Sequence, residues 1–164
     1  MRKSLCLLFA AVAVTFIARA WADEDKVPLD KLPKGVLEAV KKRFPNAKVE
    51  GASKEKEDGK TTYEVELKEN GKGIDVTFSE KGEMILIEKE IDIKDVPKVV
   101  TEGVEAKYPK ATWKTIEEVI KVADGKESLD YYEFHGTTAE KKEIELEVGT
   151  DGKIKKEEKK DKDK

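Results

Sequence analysis

The chain states nearly the same pattern twice, and that repetition constrains its folding more than any other feature. Leu32-Pro33 opens a helical pattern that closes in Arg43-Phe44-Pro45-Asn46-Ala47, and Val96-Pro97 opens a second that closes in Lys107-Tyr108-Pro109-Lys110-Ala111. Thr62-Tyr63-Glu64-Val65 returns as Tyr131-Tyr132-Glu133-Phe134, and Ile74, Val76, Phe78 and Gly82 return as Ile144, Leu146, Val148 and Gly152. Order is kept, and the offset grows only from 64 to about 70 residues. A copy of about 60 residues buries roughly 60% of its unfolded surface and is marginal alone, whereas the pair approaches roughly 68–70%. The two halves gain by sharing a sheet edge or a helix surface, so one integrated body is expected.

In the first copy Leu32, Val36, Val40 and Phe44 recur every four residues, the apolar stripe of an amphipathic helix. Asp30 is placed to cap it, and Pro33 suits a first turn because its missing N–H is not needed there. Pro45 stops it by disfavouring the α conformation at Phe44. Val96, Val100, Val104 and Tyr108 repeat the stripe, with Asp95 as cap and Pro109 as stop.

Strand patterns follow. Tyr63, Val65 and Leu67 alternate with Thr62, Glu64 and Glu66; Ile74, Val76 and Phe78 alternate with Asp75 and Thr77; Glu80-Lys81-Gly82 then turns into Met84 to Ile91. Residues 48–57 carry a weaker strand pattern. A period of two means one buried and one solvated face. Asp58-Gly59 and Asn70-Gly71 are hairpin signals, since Asn or Asp before Gly tolerates positive φ. In the second copy Trp113, Ile116, Val119, Ile120 and Val122 keep no single period, which predicts a bulge or a longer loop, while Ile144 to Val148 restores strict alternation.

The expected class is therefore α+β, a tandem repeat of a helix followed by four antiparallel strands, with the helices packed on one face of the sheet. The repeats span residues 30–91 and 92–154, after a flexible N-terminus over 23–29. Residues 155–164 are only Lys, Glu and Asp and are expected to be a disordered charged tail. Val36, Val40, Phe44, Tyr63, Val65, Val76, Phe78, Val100, Val104, Tyr108, Tyr132, Phe134, Ile144 and Leu146 form the expected core.

The first 22 residues read as a signal peptide: Arg2 and Lys3, an apolar run from Leu5 to Ala18, and the small residues of Ala20-Trp21-Ala22 before Asp23. The apolar run is too short for a comfortable membrane span. Cleavage would remove Cys6, the only cysteine, and leave 30 basic against 36 acidic residues, a net charge of −6. A periplasmic or secreted protein without disulfides must rest on its core.

Catalytic signatures are missing from the sequence. There is no G-x-S-x-G, no H-E-x-x-H, no P-loop and no dinucleotide fingerprint, and the single histidine is His135. No catalytic residue, cofactor or metal ligand is assigned. Nucleic-acid binding is disfavoured by the acidic balance and by Arg43 being the only arginine after Arg19. No stable membrane insertion is expected after signal cleavage. Carboxylates spaced i, i+2, such as Glu64/Glu66 and Glu145/Glu147, read first as a solvated sheet face. They leave open an acidic-residue hydrolase on that face, while Asp151 and the Asp23-Glu24-Asp25 cluster leave open a weak calcium-binding envelope protein.

One constellation stands out. If Tyr132 and Phe134 point into the core, Tyr131, Glu133 and His135 point away from it, and the matching residues of the first copy are Thr62, Glu64 and Glu66. An outward Tyr and His on an acidic face suit a partner-binding hot spot; an ordinary cross-strand pair is the plainer reading.

With these residues in view, the chain resembles the PepSY-like family of exported bacterial proteins, described as β-lactamase-inhibitor-like. The first copy carries the pattern in Val36-Leu37-Glu38-Ala39-Val40-Lys41-Lys42-Arg43-Phe44-Pro45-Asn46-Ala47, Asp58-Gly59, Tyr63-Glu64-Val65-Glu66-Leu67, and Val76-x-Phe78 before Gly82. The second keeps Tyr108-Pro109-x-Ala111 and Tyr132-Glu133-Phe134, inserts residues near Gly136 to Lys142, and lacks the Asn-Gly turn. The resemblance implies helices against one sheet face and an open face that docks an envelope protein or peptide, in the manner of an inhibitor or docking partner of a hydrolase or peptidase. It supplies no catalytic residue.

Overall fold

In the computed structural model, which describes residues 25–57 and 59–160, the strands join one continuous antiparallel sheet in chain order. They are β1 (Asp25–Lys26), β2 (Lys48–Glu57), β3 (Lys60–Glu69), β4 (Lys72–Ser79), β5 (Met84–Glu90), β6 (Thr112–Ala123), β7 (Lys126–Thr137), β8 (Glu143–Gly149) and β9 (Ile154–Lys160). Helix α1 (Val36–Arg43) precedes β2, and α2 (Lys98–Lys107) precedes β6. The expected signal peptide lies outside the described residues.

The expected fold class is corrected by this topology. Among the described residues the body is a nine-stranded antiparallel sheet to which two α-helices, of 8 and 10 residues, are attached, not a tandem of helix-plus-four-strand units. The pairing does not stop where the sequence repeats: β5 continues into β6 from Leu86↔Lys121 to Glu90↔Glu117. A four-stranded unit ending at β5 would leave a row of unpaired N–H and C=O groups at its edge, and the second half supplies their partners.

Two segments expected to lack structure, within residues 25–29 and 155–160, are paired into the sheet. Asp25 and Lys26, placed in a flexible N-terminus, pair with Lys54 and Ser53, and Val27 N–H donates to the Ala52 carbonyl at 2.9 Å. Residues 155–160, expected in a disordered tail, form most of β9 and pair along β8 from Glu143↔Lys160 to Val148↔Ile154. Ile154 anchors that strand in the second core, and Lys156 lies 3.5 Å from Glu147 and 3.0 Å from Glu158. A strand of Lys and Glu needs little burial when it is an edge, and its charges discourage further pairing.

The helices begin later than the caps imply. Asp30 and Asp95 sit in 3-10 turns (Leu29–Lys31 and Ile93–Asp95), and the residues flanking the helix starts are Gly35, in the left-handed region, and Pro97. The stops are as read: Phe44 and Tyr108, each before a proline, take φ −127° and −129° and donate to Val40 O and Val104 O.

Val36, Val40 and Phe44 pack on Val65, Leu67, Ile74, Val76, Phe78 and Ile87. Val96, Val100 and Val104 pack on Ile116, Tyr132, Phe134, Ile144, Leu146 and Val148. Tyr63 and Tyr108, expected in the core, are only partly buried at its margins. Ile120, which meets the first cluster, shares its alternation along β6 with Ile116 of the second, so both helices lie on the same sheet face. The irregularity expected in the second copy consists of bulges that leave Lys114 on β6 and Asp130 on β7 without a register partner.

Candidate functional site

The helix-free face carries the chemistry. Register places Glu90, Glu117, Glu133 and Glu147 in one row across β5 to β8, ending at Lys156 on β9. The adjoining row contains Thr115, His135, Glu145 and Glu158, and the row on the other side contains Glu66, Asp75 and Glu88, then Val119 and Tyr131. Like charges directly opposite one another destabilise a sheet, so a row of four carboxylates on neighbouring strands is costly without compensation.

Beside that row, in the adjoining one, stands His135. Its Nε2 lies 3.7 Å from Glu117 Oε2 and 3.6 Å from Glu133 Oε1, and its Nδ1 lies 3.8 Å from Glu145 Oε2. The imidazole is 38% exposed, whereas the Glu117, Glu133 and Glu145 side chains are only 17%, 11% and 12% exposed. Burial first, and then a hydrogen bond with Glu145 and the nearby charges of Glu88, Glu145 and Glu117, push the Glu133 carboxyl far above the ordinary carboxylate range. Tyr131 is likewise held strongly in its neutral form, by burial and then by the charges of Glu133, Glu147 and Glu88.

Tyr131, Glu133 and His135 are thus brought together on the expected face, but not as a projecting patch. Tyr131 is 8% exposed, packs with Leu86 and Val119, and lies under the Lys155 ammonium at 5.6 Å. The matching trio does not join them. Thr62, Glu64 and Glu66 stand on β3, four strand spacings or roughly 19 Å from β7.

Sequence reasoning passed over Glu88, Glu117 and Glu147 as members of the site. Their common face was encoded in the alternation of β5, β6 and β8. The neighbours that make them a cluster depend on the β5–β6 and β6–β7 registers, the first a pairing between distant segments and the second interrupted by bulges that a period-two reading does not locate. The arrangement offers one buried and two half-buried carboxyls beside one imidazole, suited to holding a cation, a basic side chain or a proton.

A family model described as "Putative beta-lactamase-inhibitor-like, PepSY-like" matches residues 9–86 and again residues 61–156. The chain belongs to this PepSY-like family. Comparison with curated proteins gives no match. Among solved structures, the PepSY-like chain is similar to a protein from Bacteroides eggerthii described as "putative periplasmic", with TM-score 0.62, 15% identity, and coverage of 78% of this chain and 88% of that one. It is similar to a DUF2874 family protein from Bacteroides uniformis, with TM-score 0.60, 17% identity, and coverage of 77% and 88%. A BLIP-like protein from Bacteroides fragilis gives TM-score 0.57, 18% identity, and coverage of 84% and 93%. At these identities the likeness is one of fold.

Proposed function

We propose that this PepSY-like protein is a non-catalytic binding module of the cell envelope that docks a basic segment of a protein or peptide on its helix-free face. The observation that carries the reading is the row Glu90, Glu117, Glu133 and Glu147, flanked by Glu88 and Glu145, where carboxylates outnumber the cations beside them. A Lys- or Arg-rich segment laid across these strands neutralises that excess. The inhibitor-like description of the family supports a role exerted by occlusion, and the periplasmic description of the Bacteroides eggerthii protein, together with the apolar N-terminal run, supports the location.

Affinity for a Lys/Arg-rich ligand recovered from an envelope extract is expected to fall steeply with salt, since exposed charges are screened over about 8 Å at physiological ionic strength. Glu88→Gln and Glu147→Gln are expected to weaken it further, while Glu66→Gln on β3 changes little. Salt-independent binding, or equal effects of all three substitutions, would move the interface elsewhere. Hydrolytic turnover by the purified protein that disappears in Glu133→Gln would replace this reading with the enzymatic one.

A further inference from the structure

The spacing around His135 differs from that of ordinary ion pairs. Charge-assisted hydrogen bonds run at about 2.7–2.9 Å, whereas the approaches from His135 to Glu117, Glu133 and Glu145 are 3.7, 3.6 and 3.8 Å. None of these three approaches is a direct hydrogen bond. One ligand atom from each of Glu117, Glu133 and His135 lies within 4.8 Å of the others. Donors about 2.0–2.1 Å from a tetrahedral ion stand roughly 3.4 Å from one another, so a modest inward movement of these side chains encloses an ion.

The imidazole is also oriented as a ligand would be. Its Nε2 faces Glu117 and Glu133, while its Nδ1 faces a third carboxylate, Glu145. A carboxylate that accepts from the far ring nitrogen fixes the tautomer and raises the basicity of the near one, the arrangement that supports metal-bound histidines, and the inward movement that seats an ion need close the 3.8 Å gap to Glu145 by only about 1 Å to form that bond. The only histidine of the chain occupies this position.

We propose that Glu117, Glu133 and His135 form a binding site for a single divalent transition-metal ion of the zinc class, with Glu145 as the positioning carboxylate behind His135. The donor set selects the ion. Imidazole with two carboxylates suits zinc and its first-row neighbours, whereas calcium takes six to eight oxygens. Three protein ligands leave a fourth position open to water or to a donor from a partner. β6 and β7 present the ligands at adjacent register positions, Glu117↔Glu133 and Thr115↔His135, so the site is built on paired strands rather than on a loop. The inference does not rest on the docking reading: metal titration uses the isolated protein, and a failed titration leaves the basic-segment experiments untouched.

The test is calorimetric titration of the purified, chelator-stripped protein with zinc chloride and, separately, calcium chloride at neutral pH. One saturable zinc equivalent is expected, with calcium at least ~100-fold weaker. His135→Gln, or Glu117→Gln should the first variant fold poorly, is expected to abolish that equivalent, and Glu145→Gln to weaken it by about 10–100-fold. Glu64→Gln on β3 is expected to leave it intact. Zinc is expected to raise the melting midpoint of the parent but not of the folded His135→Gln protein. Absence of saturable zinc binding, calcium binding as tightly as zinc, or an undiminished zinc equivalent in both His135→Gln and Glu117→Gln would overturn the proposal.

Discussion

Phe134 shows how much one side chain carries in this sheet. It is fully buried, lies beneath α2, and meets Trp113 edge to face with ring centroids 5.2 Å apart and planes at 75°. Truncation removes its burial, the ring contact and the filling of the second core, so Phe134→Ala is expected to cost about 3–5 kcal/mol in urea unfolding. A loss below about 1 kcal/mol would mean that the core closes around the gap. Its neighbours Glu133 and His135 face the other way by simple alternation, which is why a structural residue and two candidate ligands are adjacent in sequence.

At the scale of elements, the question is what holds two short helices, since helices of this length are marginal in water without tertiary packing. α2 is seated on the β8–β9 turn: a Cβ added at Gly103 would run into the backbone carbonyl of Gly152, and one added at Gly152 into that of Val99. Gly152 takes φ 80°, as Gly82 takes 82° in the corresponding turn beside Pro33 and Lys34, which explains why this glycine recurs in both copies. Gly103→Ala improves intrinsic helix propensity by about 1 kcal/mol. The overlap is expected to outweigh that gain and give a net loss of about 1–3 kcal/mol. A raised denaturation midpoint would place α2 further from the turn.

A second tie runs from Lys107 at the end of α2 to Glu157 on β9. The Lys107 ammonium, hydrogen-bonded to Glu157, and the Lys159 ammonium 2.9 Å away hold the Glu157 carboxyl down to about 2. A depressed folded-state pKa contributes stability that is present above the ordinary carboxylate range and lost as pH falls toward 2. Melting midpoints below about pH 4.5 are therefore expected to fall less steeply for Glu157→Gln than for the parent. Identical acid limbs would show that the tie contributes nothing.

For the molecule as a whole, the two halves are joined through β5 and β6, through the Leu86, Val119 and Tyr131 cluster on the helix-free face, and through a fork in which Arg43 Nε and Nη2 donate to Glu127 at 2.6 and 2.9 Å. The fork is exposed and contributes at most about 1 kcal/mol, so the shared sheet carries the coupling. One cooperative transition is expected. Ile74→Ala in the first core costs about 2–5 kcal/mol. It is expected to lower the midpoint seen by Trp113 fluorescence in the second half by as much as that seen by circular dichroism. Divergent midpoints would mean that the halves unfold separately.

Patterns local to the chain were legible without coordinates: the four-residue stripe of each helix, the prolines that end them, the Asn70-Gly71 turn with its positive φ at both residues, and the apolar face of Tyr132, Phe134, Ile144 and Leu146. Each depends on a few consecutive backbone angles or a fixed side-chain period, so nearby residues suffice to specify it. What the sequence could not supply was pairing between distant strands. The join of β5 to β6, the recruitment of a lysine- and glutamate-rich end as β9, and the separation of Glu64 from Glu133 all follow from which edges meet. An edge is satisfied by any backbone of suitable length, whatever its side chains, and the bulges on β6 and β7 then decide which of many carboxylates become neighbours. That decision, made only in the folded sheet, brings Glu117 and Glu133 to His135.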